Sequence, residues 1–368
     1  MKIVILGLSL SSSWGNGHAT TYRALIRGLH ALKHDVLFLE RDVPWYAGNR
    51  DLPSPGFCRL AFYDGVPDLD RFAGEIAGAD AVIVGSYVPD GIAVIDRVLE
   101  WAPEQTAFYD IDTPVTLAAL RRGEESFLAR RQIPRFRCYH SFTGGPTLRR
   151  IEREFGAREA AALYCSVDDA AYAPGGETPD WDLGYLGTYS SDRQPTLERL
   201  LLAVARRLPH RRFVVGGPQY PAGIDWPDNV ERLEHVAPAE HPRFYRRQRY
   251  TLNVTRADMI AAGWSPSVRL FEAAACGTPI VSDRWDGIED VLPPGRAIRL
   301  ADATEEVVAI LEDPDDAARR AQADEARRRV LAHHTGRARA AQLAAHLSGA
   351  RRHGAPGVMD PAKPPVVV

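Results

Sequence analysis

The segment SPSVRLFEAAACGTPIVSD (265–283) decides how this chain is read. Ser265 is placed to cap a helix, Pro266 suits its first turn, and Gly277 suits a left-handed exit before the apolar strand TPIVSD. Ser267, Val268 and Arg269 then fall in the first turn. Backbone N–H groups, a hydroxyl, the positive end of the helix dipole and a guanidinium converge there, which is the equipment of a diphosphate site. Glu272 lies further down the same helix, where a carboxylate can accept both hydroxyls of a ribose. A capped helix with merely solvated polar side chains carries the same signals, so the segment needs support from its surroundings.

Outward from that segment, DLGYLG, RRFVVGG and TLNVT read as strands, with QPTLERLLLAVARRL as a helix between the first two. The pattern breaks over 168–181 (DDAAYAPGGETPDW), where glycines, prolines and acids leave no period, and we place a linker there. Before it, residues 2–6, 36–39, 81–85, 106–109, 139–142 and 162–164 are short apolar runs separated by helical patterns such as ATTYRALIRGLHALK and GIAVIDRVLEWA. The chain therefore reads as α/β with two Rossmann-like doubly wound domains, 1–167 and 182–348, the second carrying the C-terminal helices. Ligands of such sheets bind at the carboxyl ends of the strands, so a central cleft is expected. Residues 349–368 lack a packing pattern and read as a disordered tail.

Composition narrows the classes. A chain of 368 residues exceeds the roughly 250–300 at which one core stops growing. A net charge of -3 gives no general attraction to nucleic acid or anionic lipid. Cys58, Cys138, Cys165 and Cys276 lack paired spacing, which argues against disulfides or zinc and for a reduced, cytoplasmic setting. The N-terminal MKIVILGLSLSSSW is too short for a membrane span and has no cleavage site, and no transmembrane segment is expected elsewhere.

The loop SSSWGNGHATTYR (11–23) follows the first strand. A dinucleotide fingerprint needs its glycines directly after that strand; here they come late, and Thr20 stands where the last glycine or alanine belongs. Glu40, ending the second strand, still imitates a ribose-binding acid, so an NAD(P)-dependent oxidoreductase is the rival reading. The alternative is that the glycines admit an acceptor, with Trp14 and Asn16 beside it and His18 as base for a hydroxyl proton. A histidine that only caps its helix is the plainer account. YDIDTP (109–114) sets Asp110 and Asp112 after another strand, as a structural turn, a metal pair or acceptor-side carboxylates. We place Asp112 as the orienter of His18, Asp110 and Glu40 with the acceptor, and no metal. Asp42, Trp45 and Tyr46 line the same surface.

In the second half, Arg193 (GTYSSDRQP) and Arg256 (NVTRAD) each follow a strand and can stabilise a leaving diphosphate without a metal. Gly217, after FVVG, allows close backbone approach and borders the donor. N-V-T at 253–255 matches a glycosylation sequon, but it falls in a buried strand.

FEAAACGTPIVSD resembles the LEAMACGTPVV segment of GT-B glycosyltransferases. WGNGHATTYR, ERDVPWYA, YDIDTPVT, SFTGGPTL, WDLGYLGTYSSDRQP, GGPQYPA, LNVTRADM and GWSPSVRLFEAAACG resemble stretches of the CgeB/YkvP-like group of spore-maturation glycosyltransferase homologues, from Met1 to about Leu300. The resemblance implies that the helix after Ser267 holds a nucleotide diphosphate, that Glu272 holds its ribose, and that His18 is the base or touches the donor sugar. It implies a hexose moved from a UDP- or dTDP-linked donor to a hydroxyl of a glycan, protein or small molecule. There is one departure. Many retaining GT-B enzymes carry an acid eight positions before the ribose glutamate, and that position is Trp264 here. A non-catalytic nucleotide-sugar-binding protein would share these motifs.

Overall fold

Short apolar runs buried on both faces are satisfied in a parallel sheet covered by helices. The computed structural model, which describes residues 1–14 and 17–349, has two such sheets. In the first, β1 (Lys2–Gly7), β2 (Asp35–Arg41), β3 (Arg59–Tyr63), β4 (Ala81–Gly85), β5 (Thr106–Asp110), β6 (Tyr139–Ser141) and β7 (Ala160–Ala162) run parallel in the order β3-β2-β1-β4-β5-β6-β7. In the second, β8 (Trp181–Leu186), β9 (Phe213–Gly216), β10 (Val230–Leu233), β11 (Gln248–Asn253), β12 (Ile280–Ser282) and β13 (Arg299–Leu300) follow the order β10-β9-β8-β11-β12-β13. The strand order reverses between β1 and β4 and between β8 and β11. Loops after those four strands diverge at the carboxyl edge and open the crevice in which such folds bind ligands.

β3 and β10 are strands that the apolar pattern does not predict. Both lie at sheet edges, and Arg59, Glu231 and Arg232 interrupt their apolar character because one side faces water. Among the described residues no helix is long and apolar enough to cross a membrane.

The helix His18–Ala31 buries Tyr22, Leu25, Ile26 and Leu29 against Ile3, Ile5 and Phe38. The final helix, Gly336–Leu347, joins that same cluster through Ala340, Leu343 and Leu347. This corrects the assignment of all C-terminal helices to the second domain. The two helices cross at glycines: a Cβ on Gly28 would lie 2.2 Å from the Gly336 carbonyl oxygen, and one on Gly336 would lie 2.1 Å from that of Ala24. Only residues without a side chain permit that approach, a pairing invisible in a linear pattern.

The chain consequently passes between domains twice. Val167 bridges Thr335, its amide bonded to the His334 carbonyl at 3.0 Å and its carbonyl to the Gly336 amide at 3.0 Å. A second junction joins the loop after β6 to the approach of the helix Val268–Ala275. The Gly144 amide donates to the Trp264 carbonyl at 2.9 Å, and Thr143 and Ser265 share a hydroxyl bond at 2.8 Å. Trp264 holds a left-handed φ of 41°, with its ring against Gly145 of the first domain and Gly287 of the second. A side chain thus seals the domains at the position where the E-x7-E pattern has its first acid. Of the tail expected from 349 onward, 350–368 lie outside the described residues.

Candidate active site

On the first-domain side, His18 opens its helix directly after the loop that follows β1. Its Nε2 lies 3.4 Å from Asp112 Oδ2, and its Nδ1 is buried with no partner among the described residues. A carboxylate at Nε2 favours the proton there and leaves the lone pair on Nδ1. Asp112 begins the helix Thr113–Arg121, and its own amide donates to Asp110 Oδ1 at 3.2 Å. Tyr87, after β4, sets its ring edge-on to His18 at 5.5 Å between centroids and packs on Phe127 at 4.5 Å. Its backbone is left-handed, with φ of 61°, a conformation that a bulky residue adopts at a cost of about 1–3 kcal/mol and that clusters at functional sites. Burial pushes the Tyr87 phenol up to about 12; Asp112 and Asp110 add to that shift, and Arg256 of the second domain opposes it.

On the second-domain side the helix Val268–Ala275 is capped by Ser267, whose hydroxyl accepts the Arg269 amide at 3.2 Å. Ser265 is not the cap. It precedes Pro266 and is fully buried, its hydroxyl donating to the Gly263 carbonyl at 2.9 Å. Arg269 is almost buried. Its Nε donates to the Leu186 carbonyl at 2.7 Å and its Nη1 to Asn253 Oδ1 at 2.9 Å, while the guanidinium lies over Tyr185. Asn253 is itself fixed by donating to Thr255 and Ser282, so the ends of β8 and β11 aim this arginine.

Arg193 reaches the Thr188 carbonyl at 2.7 Å. Its pKa is pulled below the ordinary guanidinium value, first by burial and further by the charges of Arg269 and Arg256. Arg256, about half exposed, opens the helix Ala257–Ala262 with Asp192 at 3.8 Å. Three guanidiniums thus reach the end of β8 and the loop after it, at Leu186, Thr188 and Asp192, and Arg269 does so from the first turn of the capped helix, an arrangement suited to a multivalent anion. Glu272, a turn below, is buried and accepts from the Tyr245 phenol at 2.9 Å, with the Tyr172 phenol also in reach.

Several residues read from the sequence do other work. Glu40 is fully buried: Oε1 accepts from Ser9 and Ser11 hydroxyls, and Oε2 from the Leu10 and Ser11 amides at 2.7 and 2.9 Å. It ties down the first loop and has no room for an acceptor or a nicotinamide ribose. Asp110 is equally buried, bonded to Tyr139 at 2.6 Å and Thr116 at 2.9 Å, and burial raises its pKa to about 6. It braces Asp112 rather than touching an acceptor, and the D-x-D pair does not converge. Gly217 has φ of 133° and abuts the Gly187 carbonyl, so its freedom serves the packing of two strand ends rather than a ligand. Trp14 is exposed at the cleft mouth, 6.4 Å from His235 of the second domain. Asn16 lies outside the described residues. Asn253 is buried, which removes it as a glycosylation acceptor. Tyr87, Tyr245 and Asn253 escaped sequence reasoning as site residues; Tyr87 and Asn253 lie at the carboxyl edge of a sheet, whereas Tyr245 sits in the helix His241–Arg246 just before β11 and gave no signal.

Residues 193–345 match the family model described as glycosyl transferase-like. No curated protein matches the sequence. Among solved structures, the chain is similar to sucrose-phosphate synthase from Thermosynechococcus elongatus, at 14% identity over 95% of this chain and 99% of that one, with a TM-score of 0.69. It is similar to HepE from Anabaena in complex with UDP and glucose, at 14% identity over 95% and 100%, TM-score 0.68. An alpha-glucosyltransferase in complex with UDP-glucose and DNA containing an abasic site gives 13% identity over 95% and 99%, TM-score 0.68. These likenesses establish the GT-B fold, and the second domain is glycosyl transferase-like. Fold and domain together describe two Rossmann-like domains in the GT-B arrangement, the second of them glycosyl transferase-like.

Proposed function

We propose that this protein transfers a hexose from a UDP- or dTDP-linked donor to an acceptor hydroxyl, without a metal, and that within the GT-B class it sits with the CgeB/YkvP-like group. The observation that carries the reading is the meeting of Arg193, Arg256 and Arg269 at the end of β8 and the loop after it, with Arg269 on the Ser267-capped helix and the His18–Asp112 pair in the first domain. The helix N-terminus and the guanidiniums take the diphosphate, and Glu272, oriented by Tyr245, takes the ribose.

The acceptor hydroxyl loses its proton to His18 Nδ1 while its oxygen bonds the anomeric carbon. The bond from that carbon to the diphosphate oxygen breaks, and the arginines receive the growing negative charge at fixed positions that need no reorganisation. Asp112 stabilises the imidazolium. The net charge of -3 favours an acceptor other than nucleic acid, in contrast to the DNA-bound alpha-glucosyltransferase.

Release of a nucleoside diphosphate from UDP-, dTDP- or GDP-hexoses tests the proposal. One donor is expected to be turned over, and His18→Ala to abolish turnover with nucleotide affinity nearly intact. Failure to bind or cleave any nucleotide sugar, by a protein that binds NAD, would overturn it.

A further inference from the structure

Among the described residues, large hydrophobic side chains are exposed at Trp14, Trp45 and Ile260. Trp14 is 51% and Trp45 63% exposed, and both stand at the carboxyl ends of the neighbouring strands β1 and β2. Their backbones are tied to one frame. The Ser12 hydroxyl donates to the Asn49 carbonyl at 2.7 Å and accepts the Trp14 amide at 3.3 Å, and the Asn49 amide side chain donates to the Trp45 carbonyl at 2.9 Å. Beside this frame Asp51 pairs with Arg23 at 2.8 Å, and Asp42 with Arg50 at 2.7 Å. Two exposed indoles therefore share one hydrogen-bonded frame with carboxylate–guanidinium pairs beside it, in the loops that follow β1 and β2.

We infer that this surface is the acceptor subsite and that the acceptor is a carbohydrate. A pyranose has an apolar C–H face that covers an indole and a rim of hydroxyls that bond planar carboxylates and guanidiniums; this surface offers both. A lipid surface would call for a continuous apolar or net basic patch, and a buried protein contact for few charges at its centre. Trp14, four residues before His18 and facing His235 across the cleft mouth, presents a bound sugar's neighbouring hydroxyl to the base. The inference rests on the transferase reading and names the substrate class that it leaves open.

Saturation-transfer NMR with methyl glucoside, galactoside, mannoside and N-acetylglucosaminide tests it, on the wild type, Trp14→Ala and Trp45→Ala, alongside calorimetric nucleoside diphosphate binding. The expected result is transfer to one or more glycosides, weakened about tenfold in each variant, with nucleotide affinity changed by less than about twofold. Glycosides that bind all three proteins equally, or none of them, would overturn the inference while intact nucleotide binding leaves the transferase reading standing. Binding to phosphatidylglycerol vesicles that disappears in Trp45→Ala would also overturn it, by making the patch a membrane contact. Absence of nucleotide binding in the wild type would instead remove the transferase reading.

Discussion

At the scale of single residues, the proposed base stands in three layers: His18, the carboxylate of Asp112 beside it, and Asp110 buried behind. His18→Ala is expected to lower turnover by about 10²–10⁴-fold, measured as donor release at saturating nucleotide sugar. Asp110 makes a pH prediction. Its pKa rises from 3.8 to about 6 in the folded protein, so the native state holds a proton that the unfolded chain has released between those values. Its contribution to stability is full below about pH 4 and is lost as pH rises through about 6, a loss of roughly 3 kcal/mol. The difference in stability between wild type and Asp110→Asn should shift across that window in denaturant titrations; a constant difference would mean that Asp110 is ionised throughout. Tyr87 makes a third. Because its φ is left-handed, Tyr87→Gly should be more stable than Tyr87→Ala by about 1 kcal/mol, the reverse of the usual order. The types and rough places of His18, Asp112, Arg193 and Arg256 were legible from the loops that follow strands, and that of Arg269 from the helix start at Ser267. The directions of Glu40 and Asp110 were not. Near a strand's end one step decides between core and cleft, and hydrogen-bond partners from Ser9, Leu10, Ser11 and Tyr139 made that choice.

At the scale of elements, the helix Val268–Ala275 couples fold to ligand. Ser267→Ala removes the cap and is expected to cost about 1 kcal/mol of stability, read by denaturant midpoint, and to weaken nucleoside diphosphate binding. A Ser265→Ala change acts elsewhere, on the bond to Thr143 between domains. Sequence alone does not separate two serines flanking one proline: both suit a cap, and the choice falls on the one whose neighbour Trp264 is anchored to the first domain. The crossing of the first and last helices gives another test. Gly336→Ala drives a methyl into the backbone of Ala24 and is expected to destabilise by about 2–3 kcal/mol in the same denaturation experiment. Central strands were legible from continuous apolar runs. The edges β3 and β10 were hidden by the charged residues that keep such edges from pairing with other chains.

Across the whole molecule, two domains are joined at two chain crossings and one sealed junction. The second crossing, at Thr335, has no linker composition and was not legible: it is set by the packing of Gly28 on Gly336, a contact between residues 308 positions apart. Trp264 closes the junction where a retaining pattern would hold an acid. The central claim is that the second domain binds a nucleoside diphosphate through Arg193, Arg256, Arg269 and Glu272, with no metal. Calorimetric titration of UDP, dTDP, GDP and NAD into wild type and Glu272→Ala, each with and without EDTA, tests it most directly. The account predicts EDTA-insensitive binding of one nucleoside diphosphate that falls at least about tenfold in Glu272→Ala. Binding of NAD alone, or nucleotide binding that vanishes with EDTA and ignores Glu272, would contradict it.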